Sequence, residues 1–126
     1  MAEIAIRIGS DRFRAHLDPE GSPRTVQAVL DALPIRTVTK KWGDEFYFEI
    51  PVDMDEENAQ PVVRKGDLGY WPEGSCFCIF FGKTPMSRTE DEIVPASPVN
   101  VIGHIEDPDR LKKLPGGLPV TIEAAE

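Results

Sequence analysis

Trp42-Gly43-Asp44-Glu45-Phe46-Tyr47-Phe48-Glu49-Ile50 opens with turn chemistry and then changes character at every residue. Phe46, Phe48 and Ile50 fall on one face, and Glu45, Tyr47 and Glu49 on the other, which is the two-residue period of a half-buried strand. Ile35 to Lys41 precedes the turn, so the two runs predict a hairpin across Trp42-Gly43-Asp44.

The same reading extends outward. Toward the N-terminus, Ile4, Ile6 and Ile8 share one face, and Phe13, Ala15 and Leu17 share another across the turn Gly9-Ser10-Asp11. A helix over about 23–33 follows: Ser22 is placed to cap it, Pro23 fits its first position, and Val26, Val29, Leu30 and Leu33 form one apolar stripe. Pro34 ends it, because the residue before a proline avoids helical geometry. Toward the C-terminus, Pro51 to Pro61 reads as a solvated acidic loop. Leu68–Trp71 and Cys76–Phe81 flank the turn Pro72-Glu73-Gly74. Cys76–Phe81 is apolar on both faces, as a strand covered on both sides should be. Gly82 to Pro98 is a long connection of the kind that often carries function. Val99, Val101 and Ile105 mark another strand, a short helix is expected near 108–114, and Leu118, Val120 and Ile122 mark the last strand. The expectation is one domain over residues 1–126, mainly β, with about eight strands arranged as a closed barrel or a sandwich.

Composition narrows the function classes. The chain has 22 acidic against 14 basic residues, a formal charge of -8, which disfavours nucleic acid and anionic membrane as partners. Its most apolar run is far short of the ~20 residues of a spanning helix. Met1 to Gly9 lacks the basic region and long apolar core of a signal peptide, so the cytoplasm is the expected compartment. Cys76 and Cys78 share a strand face, with His16 and His104 far away in sequence, so two buried free thiols are expected and no metal site or cofactor.

Two loop motifs fail on inspection. Gly82-Lys83-Thr84 lacks the earlier glycine of a phosphate loop, since Phe77 stands there and proline follows. The run from Asp53 lacks the glycine and terminal glutamate of a calcium loop, with Asn58 and Arg64 in their places. His16, two residues from Arg14 on a polar strand face, is a candidate acid or base, with an ordinary exposed histidine as the plainer reading.

The most informative grouping is aromatic and polar: Trp42, Glu45, Tyr47, Tyr70 and Trp71. Rings with polar tips near turns commonly line clefts, and equally commonly cover a barrel end.

Three segments carry a family likeness: Gly66-Asp67-Leu68-Gly69-Tyr70-Trp71-Pro72-Glu73-Gly74, Cys78-Ile79-Phe80-Phe81-Gly82-Lys83-Thr84-Pro85, and the run from Glu92 to Gly103. With Trp42 to Phe48, they resemble a family of small prokaryotic proteins of unknown function with a cyclophilin-like fold. The resemblance covers roughly the helix to Ile105, and Lys83 stands where the family commonly has proline. It implies a closed eight-stranded β-barrel with a helix over one end, and no established activity. Cyclophilins carry a Phe-His-Arg segment and a glutamine in a Gln-Gly-Gly-type turn, and neither occurs here. Gln27 falls on the expected helix and Gln60 in the acidic loop.

The leading expectation is a binding module for a small molecule or peptide at a cleft formed by Trp42, Glu45, Tyr47, Tyr70, Phe80 and Thr84. The alternative is a divergent prolyl isomerase, with Phe80 and Trp42 as its proline pocket and Arg14 or Arg36 as its donor. A hydrolase ranks last, for want of a nucleophile.

Overall fold

The computed structural model describes residues 2–125. Strands β1 (Ala2–Ile8), β2 (Asp11–Leu17), β3 (Ile35–Val38), β4 (Lys40–Lys41), β5 (Glu45–Glu49), β6 (Asp67–Trp71), β7 (Cys76–Phe80), β8 (Asn100–Ile105) and β9 (Pro119–Ala124) form one antiparallel sheet. Its order is β3-β9-β1-β2-β8-β6-β7-β5-β4. The two end strands, β3 and β4, are consecutive in the chain and separated by Thr39 alone. The expected strand Ile35 to Lys41 is therefore one bent strand that pairs with β9 before the bend and with β5 after it. This nearly closes a barrel, and it is why eight expected strands become nine. Thr39 fixes the bend: its amide and hydroxyl both donate to the Leu118 carbonyl, and its hydroxyl accepts from the Leu118 amide.

The inward faces are those the alternation predicted. Ile4, Ile6, Ile8, Phe13, Leu17, Phe46, Phe48, Phe77 and Ile122 are all buried in one cluster. Helix α1 (Pro23–Ala32) adds Val26 and Val29 to that cluster, over the end where β1 begins and β2 finishes. At the other end, Leu111 of a 3-10 helix (Pro108–Lys113) enters the core, and Arg110 lies over Phe13 near the start of β2. A full α-helical turn was not needed to deliver one leucine.

Two local expectations are corrected. Ser22 precedes α1, but its side chain does not cap the helix; it donates to the Glu57 carbonyl. The cap comes from the acidic loop, where the Glu57 carboxylate accepts from the Arg24 and Thr25 amides and the Thr25 hydroxyl. Desolvation opposes ionisation of Glu57, but those hydrogen bonds, with the Arg24 charge, hold its carboxyl below the usual range. The loop is therefore fastened rather than freely solvated, and buried Asn100 completes the tie by donating to Thr25 Oγ1 and to the Asp55 carbonyl.

Strand β8, expected from Val99, Val101 and Ile105, carries an irregularity. Its pairing with β6 slips between Leu68 and Gly69, where a bulge lets both Ile102 and Ile105 face inward. Val99 and Val101 point outward instead, into a second cluster. Gly103 is required there, because a Cβ would overlap the His16 carbonyl on β2.

Candidate functional site

That second cluster lies outside the barrel. Because β5, β7 and β6 are neighbours, the outward residues Tyr47, Cys76, Cys78, Phe80 and Trp71 form one surface, joined by Val63, Ile93 and Val99. The connection after β7 covers part of it, through a bridge between Ile93 and Val63. Thr84 holds the neck of this loop. Its hydroxyl donates to the Val94 carbonyl at 2.6 Å, and Ser87 Oγ accepts from both the Thr84 and Val94 amides.

Between the loop and the sheet a cleft of about 290 Å³ remains. Trp42, Tyr47 and Trp71 line it, Glu45 and Cys78 lie at its base, and residues 95–97 form its rim. Each is positioned by a specific device. Trp42 and Glu45 exchange two backbone hydrogen bonds across the turn, where Gly43 has φ +59°. A Cβ on Gly43 would strike Pro85 and the Lys83 carbonyl, so glycine also lets the turn seat against the loop. Trp71 packs against Gly74, where a Cβ would strike its ring, and donates its indole N–H to the Ser97 hydroxyl.

Glu45 is the unusual group. It is only 5% exposed, and among the described residues it forms no ion pair. Burial pushes its carboxyl up to about 7, and the neighbouring Cys78 thiol offsets this only in part. Perturbed acids in clefts mark candidate functional sites.

The expected site residues separate into two groups. Trp42, Glu45 and Tyr47 come together. Tyr70 does not join them: it faces inward, fully buried, donating to the Val52 carbonyl at 2.6 Å and accepting from the Met54 amide. The reason is register, since Tyr70 pairs with inward Phe77 while Trp71 pairs with outward Cys76. Phe80 is fully buried beneath the cleft, across from Glu45, rather than lining it. Thr84 is buried and occupied as the loop latch. Cys78 and the 95–97 rim were absent from the expected site, and Trp71 stood in the aromatic grouping but not in the expected cleft. Pairing the two apolar runs around Pro72-Glu73-Gly74 residue by residue puts Trp71 beside Cys76, on the face of Cys78, and Tyr70 beside Phe77 on the other.

Neither candidate donor reaches the cleft. Arg14 lies on β2 beside Glu3 and Glu106, and Arg36 lies on β3 across from Thr121. His16 instead pairs with His104 across β2 and β8, their rings 6.1 Å apart, beside a separate polar hollow of about 320 Å³. His104 also lies 3.7 Å from Asp67 there, so the polar groups of this hollow largely serve one another. No three metal-ligating side chains converge among the described residues, and no described helix is long and apolar enough to cross a membrane.

Cys76 and Cys78 are both buried, and burial raises both thiols, leaving little of the reactive thiolate. Thiol titration should find neither labelled rapidly in the native protein and both labelled in denaturant. Rapid native labelling of both, or a Cys76–Cys78 disulfide, would contradict this arrangement.

A barrel nearly closed by a bent strand, plugged at both ends, with its cleft outside under a long loop, defines a cyclophilin-type architecture. The family model described as Cyclophilin-like matches residues 2–123, and the chain belongs to that family. It is also similar to the solution structure of a hypothetical protein from Archaeoglobus fulgidus, with 44% identity over 98% of this chain and 95% of that one, at a TM-score of 0.82. No match is found among curated proteins.

Proposed function

We propose that this barrel is a binding module that takes a small molecule or short peptide segment in the outer cleft between Trp42, Tyr47 and Trp71. The observation that carries the reading is Glu45, a buried carboxyl with no cationic partner at the base of an aromatic cleft. Keeping an ionisable group there is costly for folding alone. A ligand that engages it supplies a reason for its presence. The test is a ligand-detected screen of metabolites and proline-containing peptides, mapped by amide shifts. Shifts centred on Trp42, Glu45, Tyr47 and Trp71 support the reading. Shifts confined to the His16–His104 hollow would overturn it.

Prolyl isomerisation is the competing activity, and it should be absent or very weak. Stabilising a twisted amide calls for a donor beside an apolar pocket, and the cleft lining holds no arginine or lysine. A peptide isomerisation assay with cyclophilin-like efficiency, lost on replacing Trp42, would reverse this ranking.

A further inference from the structure

Building on the cleft reading above, we propose that the ligand is a small organic ammonium ion, held against the rings of Trp42, Tyr47 and Trp71 with its charge facing Glu45.

The chemistry of the lining selects this class. Aromatic faces carry negative electrostatic potential and attract cations, most strongly for tryptophan and most usefully where water is excluded. Two of the three rings here are indoles. Glu45 sits below them with 5% of its surface exposed and no ion pair among the described residues. An anion entering the cleft would meet that carboxylate with no lysine or arginine in the lining to balance it. A neutral apolar molecule would bury the carboxylate further without compensating it. An ammonium ion satisfies the rings and the carboxylate together.

Charged and titratable groups neighbour the site from β4, β5 and β7. On β5, Glu49 shares the outward face with Glu45 and Tyr47 and is exposed. From β7 come Cys76 and Cys78, both buried thiols. From β4 comes Lys40, across from Tyr47, but its side chain is exposed and forms no ion pair with Glu45. The rim at 95–97 is Pro-Ala-Ser and adds no charge. The net charge of -8 also favours approach by cations over anions. The cleft of about 290 Å³ suits a compact amine.

Choline is a suitable probe, because its quaternary nitrogen cannot titrate and any pH response belongs to the protein. Its control is the neutral alcohol in which carbon replaces that nitrogen. Both are titrated at constant ionic strength, following tryptophan fluorescence and amide shifts. Choline should bind at least about tenfold more tightly than the neutral alcohol, with shifts at Trp42, Tyr47 and Trp71. In Glu45→Gln, choline should lose about tenfold or more while the neutral alcohol loses nothing. Wild-type affinity for choline should rise as pH increases through neutrality, and Glu45→Gln should remove that rise. Equal binding of both probes in the cleft would overturn the ammonium assignment and leave the cleft reading standing. Binding of neither would likewise overturn the ammonium assignment, with the cleft reading still decided by the wider screen. Choline binding that survives Glu45→Gln unchanged would place it on the acidic surface and overturn the proposal.

Discussion

Phe48→Ala is expected to lower unfolding free energy by about 3–5 kcal/mol, the usual range for emptying a buried aromatic site. Phe48 is 1% exposed, and its ring stacks on Phe77 at 5.4 Å between centroids. The two residues pair across β5 and β7 and both point into the barrel, so the surrounding strands cannot collapse into the void without breaking their ladder. Tyr47→Ala, one position away, should cost only about 1–2 kcal/mol, because Tyr47 is half-buried on the outer face and leaves no core cavity. Urea denaturation of the two variants reads the contrast directly. Comparable losses from both would mean that the outer cluster bears as much of the fold as the barrel interior.

Glu45→Gln should have an effect on stability that grows with pH. The ordinary glutamate value near 4.5 rises to about 7 in the folded chain. The fold therefore favours the protonated acid. Its contribution is fully present below about pH 4.5 and is lost as pH climbs through about 7. Above that, wild type holds a buried carboxylate at a cost on the order of 3 kcal/mol, taking 1.36 kcal/mol for each unit. Glutamine has nearly the shape of the protonated acid and never ionises. The variant should match wild type near the lower value and exceed it by about 2–3 kcal/mol in mildly alkaline buffer. Denaturation midpoints of both proteins across that interval test it, since other titrating groups cancel in the difference. A constant difference at every pH would show that Glu45 is solvated and ordinary. The same free energy is available to a cationic ligand, which links this prediction to the binding titration without depending on it.

The barrel was legible because its strands are strict alternators. Ile4 to Ile8, Phe13 to Leu17 and Phe46 to Ile50 each show one apolar and one polar face, and each packs as written. What alternation does not encode is which strand lies beside which. Thr39 is an unremarkable residue in sequence, yet it divides a strand between two neighbours because Leu118, distant in the chain, supplies its partners. Glu57 read as solvated for the same reason, since its partners Arg24 and Thr25 lie on a different element. At the site, Glu45 and Tyr47 were recoverable from one strand. Tyr70 was misplaced because two adjacent aromatics, Tyr70 and Trp71, must face opposite ways, and only the pairing with Phe77 and Cys76 says which. Thr84 looked available because a hydroxyl on a long loop often is, and here Val94 and Ser87 take up its hydrogen bonds.

The latch at Thr84, Ser87 and Val94 divides the long connection into a fixed part and a free one. Ile93 is pinned to Val63, and residues 95–97 stay at the cleft rim, whereas residues 88–92 project into solvent with Glu90 resting on Lys112. Insertions and deletions in that outer stretch can accumulate without moving the barrel or the aromatic rings.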